Sequence, residues 1–157
     1  MRVSAVTIGA PATVVSALAL VACGAPYPGA TLGQQVQSWA RATGFSAAAS
    51  ALDADAARVR DVGGRADPGG LRTVCDVLVT DALRANQSLP SPDGRLNAIL
   101  SDAYRAAAGA GERCLHGAGV ARGLPPGVTD ELATAHSGYI KAQARVDLLG
   151  LPSSARP

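Results

Sequence analysis

The chain has 157 residues, a formal net charge of +2, 48% hydrophobic residues and 3% aromatic residues. One domain with a buried core fits this length, but a core of Ala, Val and Leu buries less area per residue than one rich in aromatic rings. The charges are interspersed, as in DADAARVRD (53–61), with no basic patch or acidic tail. This composition argues against nucleic acid as a partner.

The N-terminal segment has the pattern of a secretory signal. Residues 3–22 carry no charge, Arg2 precedes them, and small residues stand before Cys23. A retained transmembrane helix is the alternative, since about 20 residues are enough to span a bilayer. However, Gly9 and Pro11 interrupt the run, and no Lys/Arg cluster follows it. The segment therefore predicts export.

The four residues Leu20-Val21-Ala22-Cys23 resemble the lipobox of bacterial lipoproteins. The resemblance implies a diacylglyceryl group on the Cys23 sulfur and cleavage between Ala22 and Cys23. It also implies, in many such proteins, acylation of the new amino terminus. Two or three acyl chains, palmitate among them, would hold the chain stably at the outer face of the bacterial cell membrane. A buried cysteine in a first helix is the alternative for Cys23.

These features divide the chain into four parts. We expect a lipoprotein signal peptide at 1–22, a lipidated tether at 23–33, a helical bundle domain at 34–150 and a disordered tail at 151–157. No segment shows sustained strand alternation, so the predicted fold is all-α. We expect a small antiparallel bundle of about four helices with one disulfide.

The first helical region runs from Leu32 to about Val62 and is interrupted at TGFS (43–46). Gly44 can end one helix there, and Ser46 can cap the next. The segment GGRADPGG (63–70) then predicts a loop.

The second long segment runs from Leu71 to about Asn86, with apolar residues at helical spacing. A turn follows at SLPSPDG (88–94). In this turn Ser91 is a plausible N-cap, with Pro92 in the first helical position.

The third helix has the most regular pattern, and glycines at 109 and 111 are predicted to weaken or kink it. Thr129 is predicted to cap the last helix, and Gly150 to end it. The apolar face of the third helix consists of Leu96, Leu100, Ala103, Ala107, Ala110 and Cys114. The apolar face of the last helix consists of Leu132, Ala135, Tyr139, Ala142, Val146 and Leu149.

Cys75 and Cys114 remain as a pair once Cys23 is assigned to lipid. In an exported protein, two thiols on adjacent helical segments predict a structural disulfide. A redox-active or metal-binding pair is the alternative, but the sequence has no CxxC motif and no nearby cluster of ligands. Counted from the turn at 88–94, Cys114 lies farther along its helix than Cys75 does. A kink or an offset between the helices must absorb that difference.

Neither histidine predicts a metal site. His116 lies near a helix end, where a capping role is common, and His136 lies beside the apolar face of the last helix. No HExxH or similar spacing accompanies them. We therefore predict no metal and no cofactor.

No pattern indicates catalysis. Asp53 and Asp55 point to different faces of one helix, whereas paired acid–base catalysis needs carboxyl groups that converge. Asp102 and Arg105, three residues apart, predict a surface ion pair. The sequence has no GxSxG motif, so we predict no catalytic residue and no enzymatic activity.

The function expected is that of a non-enzymatic surface lipoprotein, held at the membrane by its lipid and acting through contacts with the envelope or with an envelope protein. SWA (38–40), LPSPD (89–93) and the late Cys114 give the chain a looser similarity to small helical lipoproteins of high-GC bacteria that have no assigned activity. A binding module for an apolar small molecule, seated between Ala-lined helices, is the alternative.

Overall fold

A computed structural model describes residues 29–65, 67–118 and 123–151. Within these ranges the chain forms α-helices and no strand, which confirms the all-α class. The predicted signal peptide, Cys23 and the tail beyond Leu151 lie outside the described residues. There are five helices in the described ranges: α1 (Leu32–Thr43), α2 (Phe45–Gly64), α3 (Pro68–Asn86), α4 (Gly94–Gly117) and α5 (Val128–Gly150).

Gly44 separates α1 from α2, as predicted, and raises the count from about four helices to five. Its φ of 64° is left-handed, a conformation that glycine adopts without steric cost, and its N–H donates to carbonyl groups of the last turn of α1. The prediction that Ser46 caps α2 is wrong because α2 begins at Phe45. The Ser46 hydroxyl instead donates to Gln143 Oε1 on α5, 3.1 Å away.

The loop between α2 and α3 is shorter than the predicted span of 63–70. The helix α2 continues to Gly64, and α3 begins at Pro68. Asp67 makes this early start possible, because its side chain accepts a hydrogen bond from the backbone N–H of Gly70 (3.0 Å). Pro68 occupies the first turn, where a missing N–H costs nothing.

Two predicted helix caps are corrected. Asp93, not Ser91, caps α4, and its Oδ1 accepts from the N–H of Leu96 at 2.7 Å. The Ser91 hydroxyl donates to the carbonyl oxygen of Asp93 instead. Likewise α5 begins at Val128 after Gly127, which has a φ of 87°, so Thr129 lies inside the helix and does not cap it.

The helix α4 lies at the centre of the packing, against α3 on one side and α5 on the other. The helix α2 packs against both α3 and α5 and closes a four-helix ring, and α1 packs on α5. The apolar faces predicted for α4 and α5 are buried. The largest fully buried side chains are Tyr104, Phe45, Leu52, Leu78, Leu96, Leu100, Leu132, Val36, Val59 and Val128.

An offset between α3 and α4 absorbs the unequal positions of the two cysteines. The helix α4 is continuous through both of its internal glycines, so they do not interrupt it. The last turn of α3, at Asn86, shares a groove with Tyr104 on α4. The helix α3 therefore ends beside the middle of α4, and residues 87–93 run back toward the start of α4.

Candidate functional site

The fold brings Cys75 and Cys114 together between α3 and α4. Their Sγ atoms lie at disulfide distance, their Cα atoms are 6.0 Å apart, and both residues are fully buried. This Cα separation is typical of disulfides. Gly111 makes the approach possible, because a Cβ atom there would lie 3.0 Å from the carbonyl oxygen of Cys75 and 2.6 Å from Val79 Cγ2. The predicted pairing of these two cysteines therefore fits the helix packing.

The two histidines lie apart and each has a local partner. His116 occupies the last turn of α4, with Nδ1 at 2.7 Å from the carbonyl oxygen of Glu112. His136 Nδ1 lies 2.9 Å from Asp53 Oδ1 and connects α5 to α2 at the surface. Among the described residues, no three His, Cys, Asp or Glu side chains come together as a group that could hold a metal ion.

One carboxyl group is buried on the apolar side of α2. Asp55 is 3% exposed, and its Oδ1 accepts from Arg58 Nη1 at 2.7 Å. Its Oδ2 is buried without a hydrogen-bond partner. Burial, followed by the nearby charge of Asp81 on α3, raises the pKa of Asp55 above its ordinary value, and Arg58 opposes this rise. As predicted, Asp53 points to another face, but the proximity of Asp55 to Asp81 was not predicted.

A second buried carboxylate, Asp93, has a full set of partners. Arg145 on α5 donates to both of its oxygen atoms, at 3.2 and 2.8 Å, and the N–H of Leu96 donates to Oδ1. The hydrogen bond from Arg145 is the largest influence on the pKa of Asp93 and lowers it. This group therefore stays ionised and holds the start of α4 on α5. It is a structural ion pair with no free oxygen to offer a substrate.

Two open grooves lie on either side of α4. The larger, of about 530 Å³, runs between α4 and α5. Its floor is narrow because a Cβ atom at Gly138 would lie 2.6 Å from the Ala103 Cβ atom, so the helices are in close contact. Asp102 and Lys141, the chain's only lysine, add charge to the lining. The second groove, of about 360 Å³, lies between α3 and α4 and includes the exposed Leu83.

No protein-family model, curated protein or solved structure matches the chain. The site therefore has to be interpreted from its own chemistry. No helix in the described ranges is both long and apolar enough to cross a bilayer. The predicted surface ion pair between Asp102 and Arg105 is present at 2.9 Å, with both side chains more than 70% exposed.

The sequence does carry a signal for the buried carboxyl group that was missed. Asp55 falls on the same helical face as Leu52, Ala56 and Val59, all of which are buried. An acidic residue inside an apolar stripe indicates a buried charge that needs a partner. The identity of that partner depends on the register of α2 against α3, which periodicity does not supply.

Proposed function

We propose that the chain is an exported lipoprotein, anchored through lipid on Cys23 at the outer face of the bacterial cell membrane. Its helical domain acts by binding an envelope protein and has no catalytic role. The observation that supports this proposal is the buried Cys75–Cys114 pair at disulfide distance. Structural disulfides persist in oxidising compartments and are rare in the cytosol, so the pair fits an exported domain.

The fold also suggests which end of the domain faces the membrane. Gln37 Nε2 of α1 donates to the carbonyl oxygen of Val146 on α5 (2.9 Å), while Ser46 meets Gln143. The start of α1 and the end of α5 therefore lie at one end of the bundle. At this end Leu32 and Leu151 are 44% and 42% exposed.

The chain that leads to Cys23 leaves from this same end. The eight Cα-to-Cα steps from Cys23 to Thr31 can span at most about 26–29 Å when fully extended. A lipid on Cys23 would therefore hold the two exposed leucines toward the bilayer. Coupling Cys23 of the domain to a maleimide lipid allows a direct test by amide hydrogen exchange. On vesicles, exchange in the first turn of α1 should slow while the last turn of α4 is unchanged. Equal rates with and without vesicles would contradict this orientation.

Lipidation itself is tested in cells. The full chain is expressed in a high-GC bacterial host with an alkyne analogue of palmitate, beside Cys23→Ser as the matched control. The wild-type chain should carry the label, fractionate with membranes and begin at Cys23 by mass spectrometry, and the variant should do none of these. An unlabelled wild-type chain with an intact N-terminus would contradict the proposal. So would a hydrolytic or transfer activity that depends on a single residue.

A second candidate function is the binding of an apolar small molecule in the groove between α4 and α5. Its volume exceeds the roughly 300 Å³ at which ligand pockets begin. Ala133→Phe would fill the groove, whereas Ala144→Phe, at an exposed position of the same helix outside the groove lining, would not. Binding of an apolar fluorophore should fall only in the first variant. Equal binding by both variants would exclude this groove.

A further inference from the structure

Asp55 occupies an unusual position at the interface of α2 and α3. The residue is 3% exposed, and the neighbours on its helical face, Leu52, Ala56 and Val59, are buried core residues. A carboxyl group removed from water in this way needs hydrogen bonds to both of its oxygen atoms. Only Oδ1 has one in the structure, from Arg58 Nη1 at 2.7 Å.

A second carboxyl group acts on Asp55 from across the interface. Asp55 Oδ2 is buried without a hydrogen-bond partner, and the carboxyl group of α3 that interacts with Asp55 is Asp81. Asp81 in turn accepts from Arg84 at 2.9 Å through Oδ1. Each arginine thus donates to the aspartate on its own helix, and neither places a donor between the two carboxyl groups.

A single proton resolves this arrangement. Two ionised carboxylates are acceptors only, so they repel each other and leave the inner oxygen unpaired. When one of them is protonated, it donates to the other, and the buried oxygen is satisfied. The two outer arginines remain paired with the residual negative charge.

We propose that the buried Asp55 keeps a proton and donates it in a hydrogen bond to Asp81, which forms a pH-sensitive clamp between α2 and α3. The clamp is closed when the proton is present, and it turns into a repulsive contact when the proton is lost. The proposal does not depend on lipidation of Cys23. It assigns to the domain a response to the pH of its surroundings.

The direction of the response follows from the charges that surround Asp55. Burial and the charge of Asp81 raise its pKa, whereas Arg58 lowers it by less. These are the charged groups of the described chain that act on it, from α3 and from α2 itself. The folded state then holds the proton more tightly than the unfolded chain does. The stabilisation is full below the ordinary Asp pKa of about 3.9 and is lost as the pH rises through the raised pKa.

The buried pair Asp93–Arg145 changes stability with pH in the opposite direction and over a different pH range. The pKa of Asp93 is lowered, so its contribution weakens only in stronger acid, below the ordinary value. The His136–Asp53 pair lies at the surface and is left intact in every variant used below. Comparing variants with wild type therefore isolates the α2–α3 pair.

The test is thermal unfolding of the domain from about pH 8 down to about pH 4, close to the ordinary Asp pKa. The wild-type midpoint should rise on acidification. In Asp55→Asn and Asp81→Asn this rise should be reduced, because an amide N–H₂ donates at every pH. Asp55→Asn should also be at least as stable as wild type at the alkaline limit. The control is Asp76→Asn, an exposed position five residues earlier on α3, which should keep the full wild-type response.

A direct titration covers the case in which a variant does not fold. In wild-type protein with ¹³C-labelled aspartate, one carboxyl resonance should titrate above the ordinary range. If every aspartate titrates at or below that range, or if Asp55→Asn keeps the wild-type slope, the proposal is overturned. It is equally overturned if Ca²⁺ alone, added at alkaline pH, stabilises wild type as acid does, because the pair would then hold a cation instead of a proton.

Discussion

Trp39 Nε1 donates a hydrogen bond to the backbone carbonyl oxygen of Ser88, 3.1 Å away, and so joins α1 to the segment between α3 and α4. The indole ring also packs against the Phe45 ring, with centroids 6.0 Å apart. The helix α3 stops beside the middle of α4, and the chain returns through Ser88 to the start of α4. Trp39 is partly buried against the core and secures this returning segment through its hydrogen bond.

Trp39→Phe should destabilise the domain by about 0.5–1.5 kcal/mol, because the ring contact with Phe45 is kept while the hydrogen bond to Ser88 is lost. Trp39→Ala should cost more, since the ring contact is lost as well. Urea unfolding followed by circular dichroism measures both changes, and it does not rely on the fluorescence of the chain's single tryptophan. Equal losses in the two variants would show that the indole ring adds nothing to the packing.

Helical periodicity was sufficient to predict which faces of α4 and α5 are buried. The residues spaced along the α4 stripe from Leu96 to Cys114 are all in the core, and so is the α5 stripe from Leu132 to Leu149. These faces meet neighbours along most of their length, so local spacing and tertiary burial agree. The all-α class and the cysteine pair follow from the same regularity.

The helix caps could not be predicted in the same way, because adjacent residues offered equally good chemistry. Ser91 and Asp93 both have side chains that cap helices well. Arg145, 52 residues later in the chain, favours Asp93 through two hydrogen bonds. The proximity of Asp55 to Asp81 likewise depends on how α2 is aligned with α3. Both features depend on how the helices are aligned in the folded domain, and local residue spacing does not predict that alignment.

Gly111→Ala should destabilise the domain by about 1–3 kcal/mol, although alanine is the better helix former. The new methyl group would lie 2.6 Å from Val79 Cγ2 and 3.0 Å from the carbonyl oxygen of Cys75, so α3 and α4 would have to separate. Urea unfolding measures the change.

Gly109→Ala is the matched control on the same helix. The nearest atom to its new Cβ is a carboxylate oxygen of Glu131 at 3.8 Å, which is ordinary contact. This variant should be more stable than wild type by about 0.5–1 kcal/mol. A stabilisation of similar size in Gly111→Ala would contradict the close packing of α3 on α4.

Loss of the Cys75–Cys114 link should cost about 3–4 kcal/mol, because it closes a loop of 39 residues in the unfolded chain. The comparison uses a Cys23→Ser background, so that only this pair of thiols remains. Urea unfolding with and without reductant should differ by this amount. The double variant Cys75→Ala/Cys114→Ala should be insensitive to reductant. Two alkylated thiols in the non-reduced exported protein would contradict the bridge.

Arg145→Met should lower stability near neutral pH by about 1.5–3 kcal/mol, because it removes charged hydrogen bonds to the buried Asp93. Arg145 lowers the pKa of Asp93, so this contribution is complete above the ordinary Asp pKa of about 3.9. It is lost as the pH falls through the lowered pKa of the folded state. The difference between wild type and the variant should therefore shrink in strong acid.

Arg105→Met, which breaks an exposed pair with Asp102, should change stability by no more than about 1 kcal/mol at any pH. Equal losses at positions 105 and 145 would show that burial of Asp93 adds nothing to the strength of its ion pair.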